Sequence, residues 1–203
     1  MSCILNIETS TSVCSVALSM DGEVLFAKAS FDGPSHAALL GVFVEEALSV
    51  LKKKGKKALD AVAVSSGPGS YTGLRIGVSV AKGLCFGFGI PLIGIHTLDI
   101  MAATVNSKGD SQIVSMTDNC LYCAMLDARR MEVYAAIYDA SLKPVRETKA
   151  DIVEVGTYAS YLEKGKVCFF GNGASKCKSV ITSPNAIFIE DIHPLAVNMI
   201  PLS

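Results

Sequence analysis

Apolar and polar positions change their spacing several times along the chain, and each change marks an element. Cys3 to Glu8 is a short apolar run that reads as a strand. From Ser12 to Met20 the side chains alternate, with Val13, Ser15, Ala17 and Ser19 on one side and Cys14, Val16, Leu18 and Met20 on the other. That alternation predicts a second strand. Asp21-Gly22 supplies a hairpin turn, and Glu23 to Ser30 returns as a third strand. Gly33-Pro34-Ser35 breaks the chain, and Ser35 stands where it can N-cap a helix running to about Lys54 and ending near Gly55. Ala61 to Ser65 is a buried strand. The Gly-rich turn Ser66-Gly67-Pro68-Gly69-Ser70-Tyr71-Thr72-Gly73 leads from it into a second helix, from about Leu74 to Phe88. Pro91 to Ile95 reads as strand and His96 to about Val105 as a third helix.

Strand, strand, strand, helix, strand, helix, strand, helix is the ribonuclease-H-like α/β layout: an antiparallel meander followed by parallel strands joined by crossover helices. The polar loop Asn106 to Asp110 is the expected boundary, giving an N-terminal lobe at 1–105 and a C-terminal lobe at 106–203. In the second lobe, Leu121–Ala128 and Met131–Tyr138 predict a hairpin around Arg129-Arg130, and Asp139 to Pro144 a turn. Asp151 to Glu163 predicts a helix, Val167–Phe170 and Ala186–Ile189 strands, and Gly171-Asn172-Gly173 a tight turn. Pro194 to Ile200 starts a last helix, which can pack back on the first lobe.

Half of the residues are hydrophobic and 18% are charged, with a net charge of −1 over 203 residues. That composition excludes a disordered chain. Both lobes are near neutral, which argues against a stand-alone nucleic-acid binder. Neither a membrane-spanning run nor the basic start of a signal peptide is visible, so a cytoplasmic location is expected. Seven cysteines, at 3, 14, 85, 120, 123, 168 and 177, read as reduced and mostly buried. Cys120 and Cys123 form a C-x-x-C, but no second ligand pair accompanies them for zinc, and they open a strand instead of the helix that a redox motif uses.

The first two helices are unusual. The first has only a narrow polar stripe, Gly41, Glu45, Ser49 and Lys52, and the second carries only Arg75 and Lys82 as charges. Apolar arcs this wide exceed what one sheet covers. They predict either a partner interface or helices sandwiched within their own domain. The interface would take Leu39, Leu40, Phe43, Val44 and Ala47 from the first helix and Gly73, Arg75, Ile76, Gly77, Val80 and Gly83 from the second, the glycines letting another backbone approach. The run Lys52 to Lys57, interrupted by Gly55, fits a solvated helix end, with an RNA-contacting patch as the alternative.

The Gly-rich turn is neither a Walker A loop nor a dinucleotide fingerprint. Its glycines serve either tight strand-to-helix packing or, with the amides of a helix N-terminus, an anion site. Gly67, Gly69, Ser70 and Thr72 are the candidates there. Glu8, Thr9 and Ser10, in the turn between the first two strands, would face the same anion or nucleotide. No nucleophile–base pair suggests a catalytic residue.

Three segments together carry a resemblance: Ile4-Leu5-Asn6-Ile7-Glu8-Thr9-Ser10, then Ser66-Gly67-Pro68-Gly69-Ser70-Tyr71-Thr72-Gly73-Leu74-Arg75-Ile76-Gly77, then Asp127-Ala128-Arg129-Arg130-Met131-Glu132-Val133-Tyr134. In that order the chain resembles the TsaB (YeaZ) family of glycoprotease-like proteins, with Asp127, Arg129 and Arg130 in its third motif. The resemblance implies two actin-like (ASKHA) lobes, the second reduced. It implies a non-catalytic role in the tRNA threonylcarbamoyladenosine (t6A) machinery, in which TsaD modifies N6 of adenosine 37 in tRNAs that read codons beginning with A. The implied partners are TsaD, through the first two helices, and TsaE. A homodimer is implied when TsaD is absent, and tRNA contact only within the complex. ATP or ADP and a metal are expected in the partner subunits, and neither on this chain alone. The catalytic relative carries a His-x-x-x-His pair on its third helix. Here His96 is followed four residues on by Ile100, which cannot ligate, so His96 reads as a helix-start hydrogen-bonder. A metallopeptidase and a small-molecule kinase of the actin-like superfamily are the alternatives. The kinase would need an Asp for magnesium where Glu8 stands.

Overall fold

A computed structural model describes residues 2–33, 35–55, 58–107 and 120–203. Pro34, the end of the lysine run and most of the 106–110 loop lie outside the described residues. Contacts divide the chain into two units. One is Met1–Ile100 with Pro194–Ser203, and the other is Met101–His193.

The first unit is built on β1 (Cys3–Glu8), β2 (Cys14–Met20), β3 (Glu23–Ser30), β4 (Ala61–Ser65) and β5 (Leu92–Ile95), in the order β3-β2-β1-β4-β5. β1, β2 and β3 are antiparallel, and β4 and β5 run parallel to β1. The turn at Asp21-Gly22 has both residues at positive φ, 51° and 85°, as a tight two-residue hairpin requires. α1 (His36–Lys53) and α2 (Tyr71–Phe88) cover the face lined by Cys3, Leu5, Ile7, Cys14, Val16 and Leu18. The opposite face is lined by Ala17, Ala63 and Ile95. Against it pack Ile100, from α3 (Thr97–Ser107), and Ala196, Met199 and Ile200, from a 3₁₀ helix (Ala196–Leu202). β2 is therefore buried on both sides. Its small, polar face is closed by the end of the chain, where the Ala196 N–H donates to Ser15 Oγ at 2.9 Å. That last segment is 3₁₀, not α, and carries Pro201, whose missing N–H does not support an α-helix interior.

The second unit contains β6 (Leu121–Asp127), β7 (Glu132–Tyr138), β8 (Pro144–Ile152), β9 (Val167–Phe170) and β10 (Ala186–Ile189), in the order β10-β9-β6-β7-β8. Read from the meander outward, this is the order of the first sheet, with the same strand directions. The α/β fold of both units is the ribonuclease-H-like, actin-like one that the strand order predicts. Only α4 (Ala159–Leu162) and α5 (Ala174–Cys177) stand where the first unit has α1 and α2. Val133, Ile137, Val153, Tyr158, Phe169 and Cys177 belong to its core.

In this unit one strand goes unpredicted and one expectation fails. β8 is a strand that the sequence pattern does not show, because it is an exposed edge strand opening on a proline, with little apolar alternation. The helix expected over 151–163 is reduced to Ala159–Leu162. Asp151 and Ile152 belong to β8, and Gly156 sits at φ 89° in a turn, so Val153 and Tyr158 fill the core from irregular backbone and Leu162 from the short helix.

Candidate functional site

α1 and α2 begin beside the turn that follows β1, and this junction sets what their outer surfaces can do. Glu8, Thr9, Ser10 and Thr11 are all buried. The Ser10 N–H donates to Glu8 Oε1 at 2.5 Å, Thr9 Oγ1 donates to the Gly73 carbonyl at 2.9 Å, and the Ser70 N–H donates to the Ser10 carbonyl at 2.6 Å. Ser70 caps α2, its Oγ accepting from the Gly73 N–H at 3.2 Å. The buried His36, first residue of α1, joins the turn through Nε2 and the Thr11 carbonyl at 2.8 Å.

This geometry corrects the reading of the glycines. A Cβ on Gly73 would overlap the Thr9 carbonyl oxygen, one on Gly77 would overlap Thr9 Oγ1, and one on Gly69 would overlap the Ser10 carbonyl. They let α2 lie against the β1–β2 turn of the same chain, not against a partner helix. Gly67 is buried at φ 100°, a conformation that suits glycine, and its carbonyl accepts from the Thr97 N–H. The Ser70 and Gly73 amides are committed to the Ser10 carbonyl and the Ser70 hydroxyl. Of the anion candidates, Gly69, Ser70 and Thr72 are exposed, whereas Glu8, Thr9, Ser10 and Gly67 are packed away. Burial is the largest influence on Glu8 and outweighs its hydrogen bonds from Ser10, pushing its carboxyl up to about 7. A carboxyl that holds its proton so readily is a poor substitute for a magnesium-organising Asp.

The interface expectation is corrected in six of its eleven residues. Leu40, Phe43, Val44 and Ala47 are buried in the core beneath α1, and Gly73 and Gly77 beneath α2. The wide apolar arc conceals two faces. The i, i+3, i+4 stripe through His36, Leu40, Phe43, Val44, Ala47 and Leu51 packs on the sheet. Arg75 and Gly83 are exposed, and Leu39, Ile76 and Val80 are half-buried. The two helices also carry exposed residues that the sequence does not single out: Tyr71 is 74% exposed and Phe86 93%, and Val42 and Phe88, the latter at the end of α2, are exposed as well. Between the helices, Ala37, Tyr71, Arg75, Ile76 and Val80 help line a depression of about 490 Å³. The Arg75 guanidinium lies 5.3 Å from the Tyr71 ring centre and donates to its hydroxyl at 3.4 Å, giving the depression a polar rim. The signal for Tyr71 and Phe86 is that each stands four residues from one of the two charges of α2, Arg75 and Lys82, which marks the solvent side.

Ser35 precedes α1, but its side chain makes no capping bond and instead donates to the Gly33 carbonyl. His96 is exposed, and its backbone carbonyl accepts from the Asp99 and Ile100 N–H groups, while Ile100 is fully buried. Among the described residues, no three His, Cys, Asp or Glu side chains gather as a metal site. No helix among them is long and apolar enough to cross a membrane. In the third motif, Arg129 and Arg130 take φ of 71° and 46° and turn β6 into β7. Asp127 accepts from the Arg129 N–H at 2.9 Å and pairs with Lys176. The Lys176 pairing is not legible in the sequence, because the two residues are far apart in the chain.

The repeated strand order and the turn–helix junction define an actin-like α/β protein. The family model described as "TsaD: tRNA N6-adenosine threonylcarbamoyltransferase" matches residues 32–179. The Escherichia coli tRNA threonylcarbamoyladenosine biosynthesis protein TsaB is 38% identical over 139 residues, 66% of this chain and 54% of its own length. The Buchnera aphidicola protein of the same name is 28% identical over 201 residues, 96% of this chain and 88% of its own. The crystal structure of a Pseudomonas aeruginosa protein with similarity to peptidase YeaZ superposes with a TM-score of 0.81 at 26% identity, covering 100% of this chain and 90% of that one. The chain spans about half the length of the Escherichia coli relative. It belongs to the tRNA N6-adenosine threonylcarbamoyltransferase family, and within it to the TsaB (YeaZ) group.

Proposed function

We propose that this chain serves tRNA threonylcarbamoyladenosine biosynthesis as a non-catalytic subunit that docks on TsaD through the outward face of α1 and α2. The observation that carries the reading is that face: Tyr71 and Arg75 stand at a depression between the helices, and Phe86, Phe88 and Val42 stand in water elsewhere on the same two helices. Exposed aromatic and arginine side chains are the residue types that dominate interface energetics. The names of the similar proteins give the pathway. Ile100, buried where a second metal ligand would stand, and the readily protonated Glu8 favour this reading over a metallopeptidase or a kinase. TsaE and tRNA join through the TsaD complex, and without TsaD the same face pairs two copies of this chain.

The test is sedimentation of the chain with purified TsaD, alone and as the Phe86→Asp and Tyr71→Asp variants. The wild type is expected to form a heterodimer in place of its homodimer. Each variant is expected to keep its fold and lose at least about tenfold in affinity, the ~1.4 kcal/mol of one modest hot spot. Folded variants that bind TsaD as the wild type does would place the interface elsewhere.

A further inference from the structure

The C-x-x-C pair is not a pair in space. Cys120 stands just before β6 and Cys123 within it; residues three apart on extended backbone point to opposite faces, and Cys123 packs in one buried cluster with Cys177, to which Cys120 does not belong. Cys120 instead meets Cys168, 48 residues away, with the two sulfurs 2.8 Å apart. The register explains the meeting. Leu121 pairs with Val167 and Tyr122 with Cys168, so Cys120 and Cys168 are diagonal neighbours on one face of the parallel strands β6 and β9. Both are buried and neither is in a disulfide. The two thiols also differ. The hydrogen bond from Cys168, and then the charge of Lys166, hold Cys120 below the usual thiol range against the effect of burial, while Cys168 is pushed up. One sulfur is poised as the nucleophile and the other as the resolving thiol.

We propose that Cys120 and Cys168 form a reversible dithiol–disulfide couple that responds to hydrogen peroxide and staples the start of β6 to β9. The Cys120 thiolate attacks one peroxide oxygen. The O–O bond breaks, the other oxygen leaves with a proton as water, and Cys120 becomes a sulfenic acid. The Cys168 sulfur gives up its proton and attacks the sulfenic sulfur. The S–O bond breaks, a second water leaves, and the S–S bond forms. Two thiols and one peroxide thus become one disulfide and two waters, and a dithiol reductant reverses the change.

The experiment treats the whole chain with hydrogen peroxide, alkylates the remaining thiols in denaturant and maps the unreduced peptides by mass spectrometry. The expected product links the Cys120 and Cys168 peptides and leaves five of the seven cysteines alkylated, the pair having been lost. Dithiothreitol restores all seven. In Cys168→Ser the disulfide is lost and dimedone labels Cys120. Cys168→Ala gives the same readout if the serine disturbs the fold. Full alkylation of Cys120 and Cys168 after peroxide, or a link from either to another cysteine, would overturn the proposal whatever the variants do.

Discussion

β1 and β6 occupy the same place in two sheets of the same strand order, and each ends on an acid, yet Glu8 and Asp127 live in opposite surroundings. Glu8 is fully buried and its carboxyl is pushed up to about 7. Asp127 is half-exposed. Burial is the largest single influence on it and raises its carboxyl, but Lys176 and the Arg129 N–H together bring it below the usual carboxylate range. The backbones beside them solve one problem in the same way. After β4, Gly73 sits under the Thr9 carbonyl. After β9, Gly173 sits against the backbone of Leu126 and Asp127. The difference between the units lies in their helices. Helices of 18 residues come after β3 and β4 in the first unit, and helices of 4 residues after β8 and β9 in the second. A helix of five turns covers the sheet and still presents an outer face, whereas a single turn covers the sheet and presents almost none. The surface available for docking is therefore set by helix length imposed on a common sheet.

The largest effect is expected from filling the close approaches. Gly73→Ala and Gly173→Ala both drive a Cβ into backbone, so each should cost about 3 kcal/mol or more, the upper end of overpacking, read by urea denaturation. Tolerance of one and not the other would break the equivalence of the two junctions. A change at Gly77 likewise tests the fold before it tests a partner, because its neighbour is Thr9.

Next comes the pH dependence of Glu8. Its native value is raised, so the native state holds a proton that the unfolded chain releases near 4.5. The Glu8 contribution to stability is then greatest below about 4.5, falls as pH rises towards about 7, and levels off above that. Glu8→Gln should flatten this slope and make the protein more stable at pH 8 by on the order of 2–3 kcal/mol. Denaturation midpoints that keep the wild-type slope would show that Glu8 is not its source.

Asp127 has the opposite sign. Its native value is lowered, so its contribution is present above the ordinary value near 3.8 and is lost as pH falls through that range. Lys176→Met removes the ammonium that also donates to the Arg130 and Glu132 carbonyls, and should cost about 1 kcal/mol after solvent screening. NMR titration should show the Asp127 carboxyl moving up. An unmoved titration would shift the cause to the Arg129 turn.

The smallest effect on stability belongs to the docking face. Phe86→Asp should change stability by less than about 0.5 kcal/mol, since 93% of the residue is already in water. A large loss would mean that the face belongs to the core, and the contrast between long and short helices would lose its functional meaning.

Alternation and turn chemistry determined the first meander, the β6–β7 hairpin, and the start of α2 at its Gly-rich loop, because those signals are local: Asp21-Gly22 makes its turn whatever lies elsewhere. The motifs Ile4–Ser10, Ser66–Gly77 and Asp127–Tyr134 also sufficed to place the family. Tertiary structure decided the rest. β8 is a strand because β7 offers it an edge, not because Pro144–Ile152 alternates. Gly73 and Gly77 of α2 serve Thr9, and Leu40 and Phe43 face the sheet, because a helix apolar around most of its circumference does not specify which side the sheet will take. Cys120 found Cys168 instead of Cys123 because strand geometry turns residues three apart to opposite faces, while parallel pairing brings residues 48 apart in the chain within reach.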